Sequence, residues 1–133
     1  MSVRAVIDTN VLVSSFLSRN PASPTVRIVD AVVDGRLTPV HSRDIIDEYR
    51  DVLGRGCLGI DPVRVDALVG RIAEVGQEVA PADSDWDFPD PDDKVFHCTA
   101  LAAGAYLVTG NARHFPVTDF TVSPAQLCEL AGI

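Results

Sequence analysis

Short apolar runs along this chain alternate with longer segments in which apolar positions recur every three or four residues. The first run, Val3 to Ile7, reads as a buried strand, with a helix following from Val11 to about Ser18. Ser23-Pro24 opens a second helix, since Ser suits the cap and Pro the first helical position. Val26, Val29, Ala31, Val32 and Val33 carry it to Gly35. Leu37 to Val40 is the second strand, and Ser42 caps a helix running through Leu53 to Gly54. Asp61-Pro62 repeats the cap-plus-proline start for a helix ending near Gly76, and Gln77 to Ala80 makes a brief third strand. Residues 81–93 are acidic, proline-bearing and irregular, and lead into a helix from about Lys94 to Ala103 closed by Gly104. Ala105 to Thr109 and Asp119 to Val122 complete the strands, and Ser123-Pro124 opens the last helix. Strands alternating with helices predict an α/β fold around a parallel sheet.

The 133 residues show no internal repeat or linker and suit a single domain spanning 1–133. Nineteen acids oppose eleven bases, ten of them Arg, for a formal charge of −8. That balance excludes a protein that coats nucleic acid through a general basic surface. Any chemistry on a phosphodiester would need a bound cation to offset the repulsion. No apolar stretch approaches the roughly 20 residues that span a bilayer, so the expectation is a cytoplasmic protein with no membrane association. Cys57, Cys98 and Cys128 are far apart and form no CxxC pair, so they read as small reduced core residues.

In an open parallel sheet, ligands bind beyond the carboxyl ends of the strands, where strand order reverses. Asp8, Thr9 and Asn10 directly follow the first strand, although any of them could simply cap the next helix. Glu48 flanks the apolar face made by Ile45, Tyr49, Val52 and Leu53, whereas Asp44, Asp47 and Asp51 point further towards solvent. Asp90, Asp92 and Asp93 precede a helix; capping accounts for one of them, and three clustered carboxylates repel without a cation. Thr109-Gly110-Asn111 follows the fourth strand, where ordinary turn chemistry also favours Gly and Asn. Asp8, Glu48, Asp92 or Asp93, and Asn111 are therefore expected on one edge of the sheet as oxygen ligands for Mg²⁺ or Mn²⁺. Zinc would call for His or Cys, and His41, His97 and His114 have no suitable spacing.

AVIDTNVLVSS, the acidic helix bearing Glu48, and DPDDKVFHCTALAAGAYLVTGNARHF together resemble a PIN-domain protein. Among such proteins the chain is most similar to the short VapC-type ribonuclease toxins of toxin–antitoxin systems. The resemblance implies a three-layer α/β/α fold and Mg²⁺-dependent hydrolysis of RNA, with Mn²⁺ as a substitute. It places the catalytic set on Asp8, Glu48, Asp93 and Asn111, with Asp8, Asp93 and Glu48 as metal ligands. Thr9, Asn10, Asp92 and Thr109 take supporting places. Asn111 stands where the family more often has Asp, which removes one negative charge and leaves one-metal operation open. Arg43, Arg50 and Arg113 are the candidates for contacts to the RNA backbone. A cognate antitoxin, inserting an Arg beside the acids, and a homodimer are the implied partners.

Three rival readings use the same residues. A catalytically weakened PIN domain would serve as a binding module, a reading that the Asn111 position favours. A receiver-like phosphoacceptor domain would need a Lys after its fifth strand, and the only Lys is Lys94 at a helix start. Action on DNA would employ the same acids.

Overall fold

The computed structural model describes residues 2–133. Five parallel strands form one sheet: β1 (Val3–Ile7), β2 (Leu37–His41), β3 (Gln77–Glu78), β4 (Tyr106–Val108) and β5 (Thr121–Val122), in the order β3-β2-β1-β4-β5. Six helices flank it: α1 (Thr9–Leu17), α2 (Pro24–Val33), α3 (Arg43–Leu53), α4 (Pro62–Val75), α5 (Lys94–Ala103) and α6 (Pro124–Ala131). The predicted α/β class is the observed one. The chain builds outward from β1 to β3, then crosses back over the sheet through α5 to lay β4 on the other side of β1. Strand order therefore reverses between β1 and β4, and the crevice beyond Ile7 and Val108 is the place such sheets offer to a ligand.

The core is largely apolar. Ala5, Val6 and Ile7 of β1 and Leu107 and Val108 of β4 are fully buried, with Leu12, Ile28, Ile45, Tyr49 and Leu127 packed on them from the helices. Burial of β1 from both faces explains its unbroken apolar run.

The predicted boundaries shift by a residue or two where capping decides. Helix α1 begins at Thr9 rather than Val11. Ser42, Asp61 and Ser123 cap α3, α4 and α6 through their side chains, Ser123 in a reciprocal box with Gln126. Ser23 occupies the cap of α2 without a capping bond, because its hydroxyl pairs with Thr25 instead. The third strand is only two residues long, not four. Pro39 of β2 has no N–H to offer a neighbour, and β3 begins pairing just beyond it, at Val40. Gly76 makes the approach possible: a Cβ there would sit 2.6 Å from the Pro39 carbonyl and 2.5 Å from that of Ile72. Cys98 and Cys128 are buried as expected, but Cys57 is exposed, since it lies in the short 3-10 turn Gly56–Leu58 after α3.

The irregular segment before α5 is held by aromatic rings. Trp86 meets Phe88 edge-on at 4.6 Å between centroids, and Phe88 in turn packs on Phe115 and His97. His97 continues to Phe120. Burial among these rings lowers the pKa of His97, which suits a neutral packing residue.

Candidate active site

Asp8 stands at the cap position of α1, yet its carboxylate makes no capping bond. Oδ2 instead accepts from the hydroxyl of Thr109, across the crevice, at 2.7 Å. That hydroxyl also accepts the N–H of Asn111 at 2.9 Å, so both its donor and an acceptor site are committed. Asn10 adds a second tie, its Oδ1 accepting from the Gly110 N–H at 3.2 Å. From beneath, the buried Tyr49 hydroxyl donates to the carbonyl of Ile7, fixing α3 to the end of β1. Helical periodicity shows Tyr49 only as part of an apolar face; that a buried phenol usually takes a hydrogen-bond partner is the signal that could have found this tie.

The second acid arrives by a similar release from capping. Asp90 accepts from the Asp92 N–H and so caps the 3-10 turn Pro91–Asp93 that leads into α5. Asp93 thereby keeps its carboxylate free, and its side chain, only 15% exposed, lies beside both Asp8 and His114. His114 Nδ1 is 3.3 Å from Asp93 Oδ2, while Oδ2 has no hydrogen-bond partner. Asp92 is exposed and turns towards Glu48. Of the two candidates, Asp93 is therefore the one that joins Asp8.

The electrostatics follow this geometry. Burial pushes the Asp8 carboxyl up to about 6; the Thr109 hydrogen bond opposes the rise and the Asp93 charge adds to it. Asp93 is also raised, first by burial and then by Asp90, against the pull of His114. Glu48 is half-buried and raised by burial, Asp92 and Asp51, so it belongs to an outer acidic group. Asp44, Asp47 and Asp51 are exposed, as their helical positions predict.

Not every predicted residue joins the crevice. Among the described residues, no three His, Cys, Asp or Glu side chains gather closely enough to enclose an ion. In place of the expected cage of three carboxylates and an amide stand buried Asp8 and partly buried Asp93, with Glu48 set outward. Asn111 is exposed and opens the 3-10 turn Ala112–His114 without a side-chain capping bond. Thr9 is buried with its hydroxyl unpartnered. Arg50 is occupied by Asp66 at 2.8 Å, which leaves Arg43 and Arg113 as exposed bases near strand ends. His114 was discounted from its spacing; only the fold brings it to Asp93.

The donor set nonetheless suits a hard divalent cation. Buried Asp8 and partly buried Asp93 lie close enough for their charges to repel, and the only basic side chain beside them among the described residues is the His114 ring. Among the described residues no helix is long and apolar enough to cross a membrane. A family model described as PIN domain matches residues 4–113. No curated protein and no solved structure matches the chain.

Proposed function

The chain belongs to the PIN-domain family, whose members are generally nucleases, and from that premise we propose that it is a metal-dependent endoribonuclease acting on phosphodiester bonds. The observation that carries this reading is the Asp8–Asp93 pair. Asp8 is buried and Asp93 nearly so at the reversal of strand order, Thr109 binds the first, and neither carboxylate is spent on a capping bond.

In this reading Asp8 and Asp93 hold Mg²⁺ or Mn²⁺, with Glu48 reaching it through solvent. When bound, such an ion supplies neutralisation of the phosphoryl charge and activation of water for attack on phosphorus. The chain's own part is positioning. Thr109 aims Asp8 into the crevice, and Asn10 locks the β4 turn against α1. Asn111, exposed at the mouth, offers its amide to a substrate oxygen. Arg113 and Arg43 are exposed and would supply positive charge to the RNA backbone.

The resemblance to VapC-type toxins supports a toxin role checked by an antitoxin. An antitoxin arginine would pair bidentately with the buried carboxylates. Exposed apolar side chains such as Leu101 and Leu130 offer a homodimer its contact area. The test is incubation of the pure protein with defined RNAs and DNAs, with Mg²⁺, Mn²⁺ or EDTA. RNA cut only with a metal ion supports the reading. No cleavage of either, with metal bound, supports instead the binding-module reading that Asn111 favours.

A further inference from the structure

We propose that the small groove beside Asp8, walled by Asn10, Ser14, Thr25, Asn111 and Pro124, is a nucleobase subsite that reads the base next to the scissile phosphodiester. The proposal rests on the nuclease reading above and concerns which part of the substrate this edge of the sheet selects.

The groove has a volume of about 310 Å³. It lies where the first half of α1, the first turn of α2, the turn after β4 and the start of α6 meet. It shares a wall with the acidic pair. Asn10 lies two residues beyond Asp8, and the Asn111 N–H donates to the Thr109 hydroxyl that holds the Asp8 carboxylate. An RNA strand whose phosphate lies over Asp8 and Asp93 therefore has its adjoining base beside this groove.

None of the lining side chains is charged, in a chain of net charge −8. A phosphate placed there would meet no cationic side chain in the lining. The helix starts offer it little as well, since Pro24 and Pro124 have no N–H and the Gln126 N–H is taken by Ser123. What the lining does offer is neutral hydrogen bonding beside apolar surface, which suits a nucleobase. Asn10 spends its Oδ1 on the Gly110 N–H at 3.2 Å, a bond that fixes the amide and leaves its N–H donors for a ligand. The Thr25 hydroxyl lies 3.3 Å from that of Ser14 and 3.2 Å from that of Ser23. Three hydroxyls joined by two bonds keep one proton over, so the row can both donate and accept. Val11 and Pro124 supply apolar contact for the ring.

The test is nitrogen-15 NMR of the full chain titrated with adenosine, guanosine, cytidine and uridine, which carry a base and no phosphate. The Asn10 side-chain amide and the backbone amides of Gly110 and Thr25 are expected to shift, one nucleoside moving them more than the other three. Ser14→Leu, at an exposed position, should abolish the response by filling the groove, and Thr25→Val, which removes only the hydroxyl, should weaken it. RNAs that differ only in the bases flanking one bond are cut in parallel with Mn²⁺ present. The wild type should prefer one base about ten-fold, on the scale of one amide–base contact, and Ser14→Leu less than about two-fold. Absence of shifts at these amides overturns the proposal, as does a base preference that Ser14→Leu leaves intact. So do shifts produced by inorganic phosphate instead of the nucleosides. Nucleoside shifts without cleavage of any RNA would uphold the subsite and remove the nuclease reading. Metal-dependent cleavage indifferent to the flanking bases, with no nucleoside shifts, would do the reverse.

Discussion

Two groups of carboxylates face the same edge of this sheet and differ in almost every respect. Asp8 and Asp93 are buried or nearly so, lie at the ends of elements without making capping bonds, and are both raised by burial, the Asp93 charge adding to the rise at Asp8. Glu48, Asp90 and Asp92 sit further out, where water and Arg55 moderate their charge. Residue type is the same in both; what separates them is whether the fold supplies a solvent shell. A buried like-charged pair must be relieved by protonation, by a cationic side chain or by a bound cation. The outer group asks for nothing beyond water.

The sharpest way to break this contrast is Asp8→Asn. Metal-dependent cleavage should fall by at least about 10²-fold, on the scale of losing a principal electrostatic group in an active site. Without divalent ions the same variant should be more stable than the wild type. The folded Asp8 pKa of about 6 lies above the ordinary 3.8, so the folded state binds the proton more tightly. Stability is therefore lost as pH rises from about 4 to about 6, and by pH 7 the deficit is roughly 2–3 kcal/mol. Urea melts in EDTA from pH 3 to 8 would show the slope in the wild type and a shallower one in the variant, where Asp93 and Glu48 still titrate high. Equal slopes would mean that Asp8 is not the strained group.

Thr109→Val tests the clamp. It leaves the Asn111 N–H without its partner and Asp8 without its donor, a loss of about 1–3 kcal/mol measurable by thermal denaturation. The Asp8 titration followed by carbonyl NMR should move further upward. Glu48→Gln probes the outer group and should lower cleavage by less than about ten-fold. Asp92→Asn should change it by less than about two-fold, because the side chain is exposed and the capping role belongs to Asp90. A Glu48→Gln defect as large as that of Asp8→Asn would erase the distinction between the two groups.

These differences were only partly legible in the chain itself. Alternating strand and helix patterns, with Ser42, Asp61 and Ser123 as caps, carried the fold class and most boundaries. Asp8, Asn10 and Thr109 could be placed because strand ends converge at a reversal of order. The residue pattern alone leaves Asp92 and Asp93 open, and only the resemblance chose Asp93, since the difference depends on a single 3-10 turn that leaves Asp92 exposed and Asp93 partly buried. His114 carried no local mark: its partner lies 21 positions away and meets it only through a turn pinned by Thr109. Glu48 looked equivalent to the inner acids because helical periodicity gives the face of a helix and not its distance from another strand. Cys57 was misjudged for a related reason, as average burial of a residue type says nothing about an isolated turn.

The aromatic contacts that anchor the segment before α5 have a practical corollary. Trp86 is the sole tryptophan, and its ring abuts Phe88, which touches Phe115, the residue next to His114. Ultraviolet emission from that single fluorophore thus originates two ring contacts from Phe115, the neighbour of the His114 that pairs with Asp93. The molecule carries its own label, and ion uptake can be followed optically with nothing attached.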